Sequence, residues 1–252
     1  MVKTFDIGAK RVDWLILIFI LIFLLWGTHT RNELWNNEIG FWKEEIKKSP
    51  YKFRTFHNLG YAYARKGYFL EGILALENAL QLNPNSAESI YCLGWIFYHQ
   101  GDKDRALKLF EKALEKDPSF FLAFYNIGVI YYEKGDFVNS INFFKKCIEL
   151  NPEYPNLNMA LGSAYKKADM LKNAIEAFKK ELLVNPNNVQ GHLDLADTYL
   201  QMDEIEKALE HYREALKFLQ MTHREEVENI IEFLEGKKSS PSPKGPRHIY
   251  KK

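Results

Sequence analysis

The side chains able to do acid–base, nucleophilic or metal chemistry are scattered along this 252-residue chain. Among the seven histidines, His57 and His99 fall on predicted helix faces that could meet a ligand, although packing or hydration is their simpler role. Asp194 and Asp197, three residues apart on one predicted helix face, could bind a cation, but an ordinary polar surface is the simpler interpretation. No phosphate-binding loop, nucleophile elbow, HExxH motif or dinucleotide fingerprint occurs. We therefore predict that the chain is not an enzyme and has no catalytic residue, metal or cofactor.

Charge and cysteine content argue against several other classes of protein. Lys and Arg number 34 against 33 Asp and Glu, and this formal charge of +1 lacks the basic excess of a nucleic-acid-binding surface. The two cysteines, Cys92 and Cys147, form no CxxC pair or zinc-ligand spacing. We expect both to be free thiols that fill small spaces in the core or in a groove. With 46% hydrophobic and 15% aromatic residues, the chain can bury a substantial core.

A pattern of small and large residues recurs every 34 positions after Ser49. The first small residue of each period is Gly60, Gly94, Gly128, Gly162 or Ala196. An aromatic residue follows three positions later, at Tyr63, Phe97, Tyr131, Tyr165 and Tyr199. The second small residue is Gly72, Ala106, Ser140, Ala174 or Ala208. A large residue follows it by four positions, at Leu76, Phe110, Phe144, Phe178 and Tyr212. Such a period predicts repeated supersecondary units.

Each period predicts two amphipathic helices that pair as a hairpin. Phe56, Leu59, Gly60 and Tyr63 share one face of the first helix, where the glycine allows the second helix to approach closely. The first helix should end on a residue with left-handed backbone geometry. The residues at this turn are Gly67, Gly101, Gly135, Asp169 and Asp203. Because one hairpin cannot cover its own apolar faces, successive hairpins must stack.

Over Phe53 to Thr222 the pattern resembles the tetratricopeptide repeat (TPR) family. The resemblance implies an all-α fold, a right-handed α-solenoid of about five TPR helical hairpins over residues 53–221. The expected repeats span residues 53–86, 87–120, 121–154, 155–188 and 189–222. Two residues depart from the pattern: Glu181 stands where the other units have a small residue, and Gln220 replaces the closing proline of the fifth.

An incomplete repeat is expected before the array. Trp42 and Pro50 lie 34 residues before their counterparts in the first full repeat. Residues 31–50 are therefore predicted to form the second helix of a half-repeat, which begins at a capping box of Thr30 and Glu33. The first helix of this half-repeat would coincide with the apolar segment that precedes it, so we infer that this segment replaces that helix with almost no flexible linker.

A last helix and a basic tail are expected after the array. Thr222 and Glu225 form a second possible capping box, which predicts a capping helix over residues 222–235. The apolar residues of this helix would cover the exposed end of the solenoid. Residues 236–252 contain six Lys and Arg, three Pro and no acid, so we expect a basic disordered tail.

An apolar run with a tryptophan at each end predicts one transmembrane helix, a signal anchor, over residues 14–28. A cleavable signal peptide and a buried core helix are the alternatives; the segment lacks the cleavage site of the first and the polar face of the second. Three cations precede the segment and one, Arg31, closely follows it, which places residues 1–13 in the cytoplasm. The TPR array would then be extracytoplasmic, and periplasmic if the protein is bacterial.

The resemblance also implies where a partner would bind. In the TPR family the first helices of successive repeats line a concave face, which typically holds an extended peptide or a partner helix. The corresponding positions are His57, Tyr61, Tyr91, Trp95, Tyr98, Tyr125, Val129, Tyr132, Met159, Ser163 and Lys166. Tyr and Trp offer large contact area at a low entropic cost, so we predict a groove that binds protein or peptide. The alternative is that some of these rings pack between adjacent repeats.

Some TPR proteins hold the terminal carboxylate of a chaperone with a clamp of Lys, Asn and Arg. Among the matching positions only Asn126 has that chemistry, so we expect no chaperone carboxylate clamp. We predict a membrane-anchored TPR scaffold or adaptor. One alternative is an accessory TPR module of a membrane glycosyltransferase or cell-envelope assembly system, because the order of apolar helix, Arg-Asn, Leu-Trp and repeats resembles the end of such glycosyltransferases. A soluble cytosolic adaptor is another.

Overall fold

The computed structural model describes residues 37–236, and its regular secondary structure in that range is entirely α-helical. The chain divides into two compact units, Met1–Lys116 and Asp117–Lys252. The predicted cytoplasmic N-terminus, the predicted transmembrane helix and all but the first residue of the predicted tail lie outside the described residues. Between residues 37 and 236, no helix combines the length and the apolar character that a membrane crossing requires.

The first unit contains two helical hairpins preceded by a single helix. Its helices are α1 (Glu38–Lys48), α2 (Phe53–Arg65), α3 (Phe69–Leu82), α4 (Ala87–His99) and α5 (Lys103–Lys116). Helix α2 pairs with α3, and α4 pairs with α5. Helix α1 packs on α2, and α3 packs on α4, so the elements stack in chain order.

The second unit contains three hairpins and a closing helix. Its helices are α6 (Phe121–Glu133), α7 (Phe137–Leu150), α8 (Leu157–Lys167), α9 (Leu171–Val184), α10 (Val189–Gln201), α11 (Ile205–Phe218) and α12 (Met221–Leu234). The pairs are α6 with α7, α8 with α9, and α10 with α11, while α7 packs on α8, α9 on α10 and α11 on α12. The prediction of an all-α fold of stacked hairpins is therefore confirmed for the described residues.

The small residue of each first helix is what lets the two helices of a hairpin meet. A methyl group placed on Gly162 would lie 2.5 Å from a ring carbon of Phe178, and one on Gly60 would lie 2.6 Å from Leu76 Cγ. Atoms do not approach this closely without displacing their neighbours, so a side chain at either position would separate the helices. This confirms the role that the 34-residue pattern predicts for these glycines.

The turns between paired helices have the predicted left-handed geometry. Gly67, Gly101 and Gly135 have φ angles of +80°, +87° and +80°. Asp169 and Asp203, which replace glycine in the last two hairpins, adopt φ angles of +60° and +61°. Aspartate is among the few residues that enter this region at modest cost, so the same turn is built throughout the described hairpins.

The helices at the two ends of the described residues differ from their predictions in how they begin. Helix α1 starts at Glu38, where the side chain of Asn37 accepts a hydrogen bond from Gly40 N at 3.1 Å; the capping box predicted upstream lies outside the described residues. Helix α12 starts at Met221 with Gln220 at the cap, so the prediction that Thr222 caps this helix is wrong. The helix thus begins two residues earlier than a Thr222 cap would place it.

The same two helices also differ in burial. Helix α1 has no buried residue, and Trp42 is only half-buried, whereas its counterpart Leu76 is fully buried. In α12, Val227, Ile230 and Ile231 are buried against the second unit. Helix α12 therefore contributes its apolar residues to the core of the second unit, whereas no helix between residues 37 and 236 pairs with α1 as the first helix of its hairpin.

Both cysteines are free and buried. Burial raises the pKa of the Cys92 thiol and of the Cys147 thiol to about 12. The Cys147 thiol also donates a hydrogen bond to Phe121 O at 3.0 Å. Since the thiolate is the reactive form, both side chains act as packing groups at neutral pH.

Candidate functional site

In the first unit, two predicted binding residues lie on α2. His57 Nδ1 is 2.9 Å from Ser89 Oγ, so this hydrogen bond joins α2 to α4. Burial lowers the pKa of His57, against a smaller opposing effect from Glu88, and the imidazole is therefore neutral at pH 7. Tyr61 is 46% exposed, and the guanidinium of Arg65 lies 5.8 Å from the centre of its ring. The Tyr61 ring thus presents open surface, whereas His57 is engaged in holding two helices together.

Three predicted binding residues of the first unit share a face of α4. Tyr91, Trp95 and Tyr98 follow one another at spacings of four and three residues, and each is half-buried. The Tyr91 ring centre lies 5.4 Å from that of Phe110, so part of this tyrosine packs inside its hairpin. Trp95 and Tyr98 both contact the exposed His99 ring, with centre-to-centre distances of 3.8 Å and 5.4 Å. The result is a continuous aromatic surface on one side of α4.

In the second unit, the predicted residues on α6 are held more tightly by other rings. Tyr125 lies 5.8 Å from Phe144 and 5.7 Å from Tyr154, measured between ring centres. Burial raises the pKa of the Tyr125 phenol, and the same cause raises that of Tyr132. Val129, one turn further along α6, is also half-buried. Tyr154 comes from the loop before α8 and was not predicted, because the groove assignment considered first helices alone.

The predicted residues on α8 have three different environments. Met159 is only 9% exposed and belongs to the hydrophobic core of the second unit, so it offers little surface to a ligand. Ser163 is half-buried. Lys166 Nζ lies 2.7 Å from Asp194 Oδ1 and 3.9 Å from Asp197 Oδ2, and its side chain is 15% exposed. The cation that these two aspartates contact is therefore a lysine of the same chain.

A polar network surrounds this lysine. Gln190 Nε2 donates to Asp194 Oδ2 at 2.7 Å, and the Tyr212 hydroxyl donates to Asp197 Oδ1 at 2.6 Å. Burial raises the pKa of Asp197, while the Tyr212 hydrogen bond and Lys166 oppose that shift. The network links α8, α10 and α11. Gln190 lies one helical turn before Asp194, and this spacing was the one sequence signal that could have revealed the contact.

The arrangement offers contact surface and hydrogen-bonding groups. Across residues 37–236, no group of three His, Cys, Asp or Glu side chains is placed to hold a metal ion. The aromatic face of the first unit consists of Tyr61 on α2 with Tyr91, Trp95 and Tyr98 on α4. The polar network of the second unit consists of Lys166, Asp194, Asp197, Gln190 and Tyr212. These two features are chemically unlike, although Lys166 and Asp197 stand at the repeat positions that Tyr98 and Trp95 hold in the first unit.

Family profiles of the tetratricopeptide repeat match most of the described chain. The matched segments are residues 53–86, 75–108, 96–135, 121–154 and 159–220. The chain therefore belongs to the tetratricopeptide-repeat proteins. No curated protein matches the chain in sequence.

Several solved structures share the fold. MamA (residues 41 to the end) from Desulfovibrio magneticus RS-1 is 23% identical, with a TM-score of 0.61 over 66% of this chain and 94% of that one. PilF from Pseudomonas aeruginosa is 21% identical, with a TM-score of 0.64 over 73% of this chain and 85% of its own. YrrB, described as a TPR protein with an unusual peptide-binding site, is 18% identical, with a TM-score of 0.63 over 75% and 97%. At these identities the likeness establishes the fold alone.

Proposed function

We propose that this protein is a TPR scaffold that binds other proteins through the aromatic face of its first unit, and that residues 14–28 hold it at a membrane. The observation that carries the binding proposal is the set of partly exposed aromatic rings on α2 and α4. Tyr and Trp bury large areas with few rotatable bonds, and they are enriched among the residues that dominate binding energy. The peptide-binding site named for YrrB, which shares the fold, supports the same role.

The ligand that suits this face is an extended segment or helix with apolar side chains. The guanidinium of Arg65 lies over the Tyr61 ring, and the Trp95 ring contacts the His99 ring at an angle of 50°, so polar groups border two of the rings. An apolar centre with a polar rim is the usual composition of a protein interface. In the second unit, Tyr125 packs against Tyr154 and Tyr132 packs against Phe137, and Lys166 contributes only if a ligand displaces Asp194.

Replacement of two rings tests the binding surface. The double variant Tyr61→Ala with Trp95→Ala, purified from crosslinked native membranes, should recover at least tenfold less partner protein than the unaltered chain. Tyr51→Ala is the matched control, because Tyr51 is 86% exposed and lies outside the face. Circular dichroism should show unchanged helix content in both variants. Equal recovery from the double variant and the control would reject the face as the binding site.

The membrane assignment is tested separately. The apolar run within residues 14–28 is close to the length that spans a bilayer, and its flanking cations favour a cytoplasmic N-terminus. We expect the protein to stay in the membrane pellet after carbonate extraction and the TPR units to be accessible to protease only from the extracytoplasmic side. Release of the protein by carbonate or salt would contradict the proposed membrane anchor and favour a soluble adaptor. Recovery of a multi-span glycosyltransferase as the crosslinked partner would favour the accessory-module alternative.

A further inference from the structure

Two imidazoles face each other between α10 and α11, away from the residues proposed to bind partners. His192 Nδ1 lies 3.2 Å from His211 Nδ1. His192 is buried, with 8% exposure, and His211 is half-buried. The Tyr199 ring stacks flat on His211, with an interplanar angle of 5° and ring centres 5.8 Å apart.

The hydrogen bonds of this pair determine where its protons are. His192 Nε2 lies 2.9 Å from the carbonyl oxygen of Pro186 in the loop before α10. A carbonyl oxygen can only accept, so His192 carries its proton on Nε2. The Nδ1 atom of neutral His192 then has a free lone pair, and His211 must donate its own Nδ1–H to it. The pair thus closes a chain of hydrogen bonds from α11 through α10 to the α9–α10 loop.

We infer that His192 and His211 form an acid-sensitive latch, which holds the α9–α10 loop, α10 and α11 together while no more than one of the two rings is charged. One added proton leaves a single proton between the two Nδ1 atoms, so the hydrogen bond between the rings survives. A second proton sets the N–H of one ring against the N–H of the other, and this bond is lost. Acid therefore opens the latch when both rings take up a proton.

The charges that act on His211 come from α9 and α11. Burial and the neighbouring His192 are the largest influences, and the pKa of His211 is lowered overall. Glu210 and Glu214 on α11 favour a charged His211, while Lys179 on α9 disfavours it. Glu214 is itself paired with Lys217 at 2.6 Å. The surrounding charges therefore do not stabilise a pair in which both rings are charged.

The direction of the pH response follows from these protons. When the segment is open, a histidine binds a proton near the ordinary pKa of about 6.5. When the latch is closed, the pair binds at least one proton fewer than the open segment does. The closed form is therefore fully stable above that pH and loses stability as the pH falls below it. If the closed form binds one proton fewer than the open form, the equilibrium constant for opening rises about thirtyfold between pH 7.5 and pH 5.

Hydrogen exchange of the full-length protein in detergent micelles tests the inference, with rates corrected for intrinsic pH dependence. Between pH 7.5 and pH 5, opening in residues 186–218 should rise about thirtyfold, while α6 and α7 should change by less than threefold. The double variant His192→Gln with His211→Asn keeps a donor to Pro186 and removes both titrating groups, so its response should be flat. His223→Asn, at an exposed position of α12, should behave like the unaltered chain. A uniform response across the second unit, or a full response in the double variant, would overturn the latch.

Nitrogen NMR of the unaltered protein gives a test that does not depend on how the variants fold. At pH 7.5 we expect His192 to be protonated on Nε2 and His211 to be protonated on Nδ1. The opposite tautomer on either ring is incompatible with the chain of hydrogen bonds and would overturn the inference. Neither measurement requires a binding partner, so its failure would leave the proposed scaffold function untouched.

Discussion

On α2 and α4 of the first unit, Tyr61, Trp95 and Tyr98 keep part of their ring surface accessible, whereas on α8 of the second unit Met159 is buried and Lys166 is paired with an aspartate of the same chain. Tyr61 is 46% exposed, while Met159 is 9% exposed and the Lys166 side chain contacts Asp194. The repeat thus sets where a side chain lies along a helix, and the neighbouring helices decide whether its atoms remain available. The two units therefore differ in how much of these side chains their own helices leave accessible.

The largest expected effect tests the close contact between paired helices, which the two units share. Gly162→Leu and Gly94→Leu should each lower the free energy of unfolding by about 3 kcal/mol, because even a methyl group there would lie 2.5 Å or 2.7 Å from the ring of Phe178 or Phe110. Urea unfolding measures the loss. Gly101→Ala is the control: nothing lies within 4 Å of its added methyl group, and only the backbone cost of about 1 kcal/mol remains. A loss in one unit alone would mean that the hairpins pack differently.

The second prediction separates a packing residue from a contact residue among the predicted groove positions. Met159→Ala should lower the free energy of unfolding by about 2 kcal/mol, because the residue lies in the core. Trp95→Ala should cost less stability and reduce the recovery of crosslinked partner about tenfold, as truncation of an interface tryptophan commonly does. Urea unfolding and quantitative crosslinking distinguish the two losses. If Met159→Ala also abolished partner recovery while remaining fully folded, the contrast between the units would be wrong.

The third prediction concerns the polar network of the second unit. Lys166→Met should lower the free energy of unfolding by about 2 kcal/mol, since it leaves the poorly exposed Asp194 without its cation. Adding Asp194→Asn should recover part of that loss in a double-mutant cycle. Lys167→Met, at the exposed neighbouring position, serves as the control and should be nearly neutral. A Lys166→Met protein with unchanged stability but weaker partner binding would make Lys166 a ligand-binding residue, as in the original groove prediction.

The smallest expected effect is a pH response in the first unit. The folded state lowers the pKa of His57, so it binds this proton less readily than the unfolded chain does. Its contribution to stability is complete above the ordinary His pKa of about 6.5 and is lost as the pH falls below it. His57→Asn should reduce the acid sensitivity of α2 and α4, measured by hydrogen exchange at pH 7.5 and pH 5. An increase in that sensitivity would contradict the sign of the argument.

Most of the fold could be predicted from the sequence because its signals are local and periodic. Gly60 and its counterparts in the other repeats indicate the close approach of two helices that are adjacent in the chain. The turn residues Gly67 and Asp169 report a backbone geometry that few residues tolerate. Each of these signals lies within about 20 residues of the feature that it determines, so no knowledge of distant contacts is required.

The candidate site could be predicted only in part, because exposure depends on which other side chains arrive. Lys166 and Asp194 are 28 residues apart on different hairpins, and their ion pair has no local signal. His192 and His211 occupy positions that the TPR pattern leaves unspecified, so periodicity gave no reason to pair them. The half-repeat was predicted from Trp42, and the partial burial of this ring depends on tertiary contacts that the 34-residue period does not specify.

Helix α12 has a consequence for how such a protein can change in evolution. Its buried Val227, Ile230 and Ile231 occupy the surface of the second unit on which another hairpin would otherwise dock. Among the described residues, the exposed positions of α12 include Glu225, Glu226, Glu228 and Asn229, so a repeat appended there would meet a largely polar surface. Lengthening the array at this end therefore requires that a repeat be inserted ahead of α12. Helix α12 then still covers the apolar surface of the repeat that precedes it.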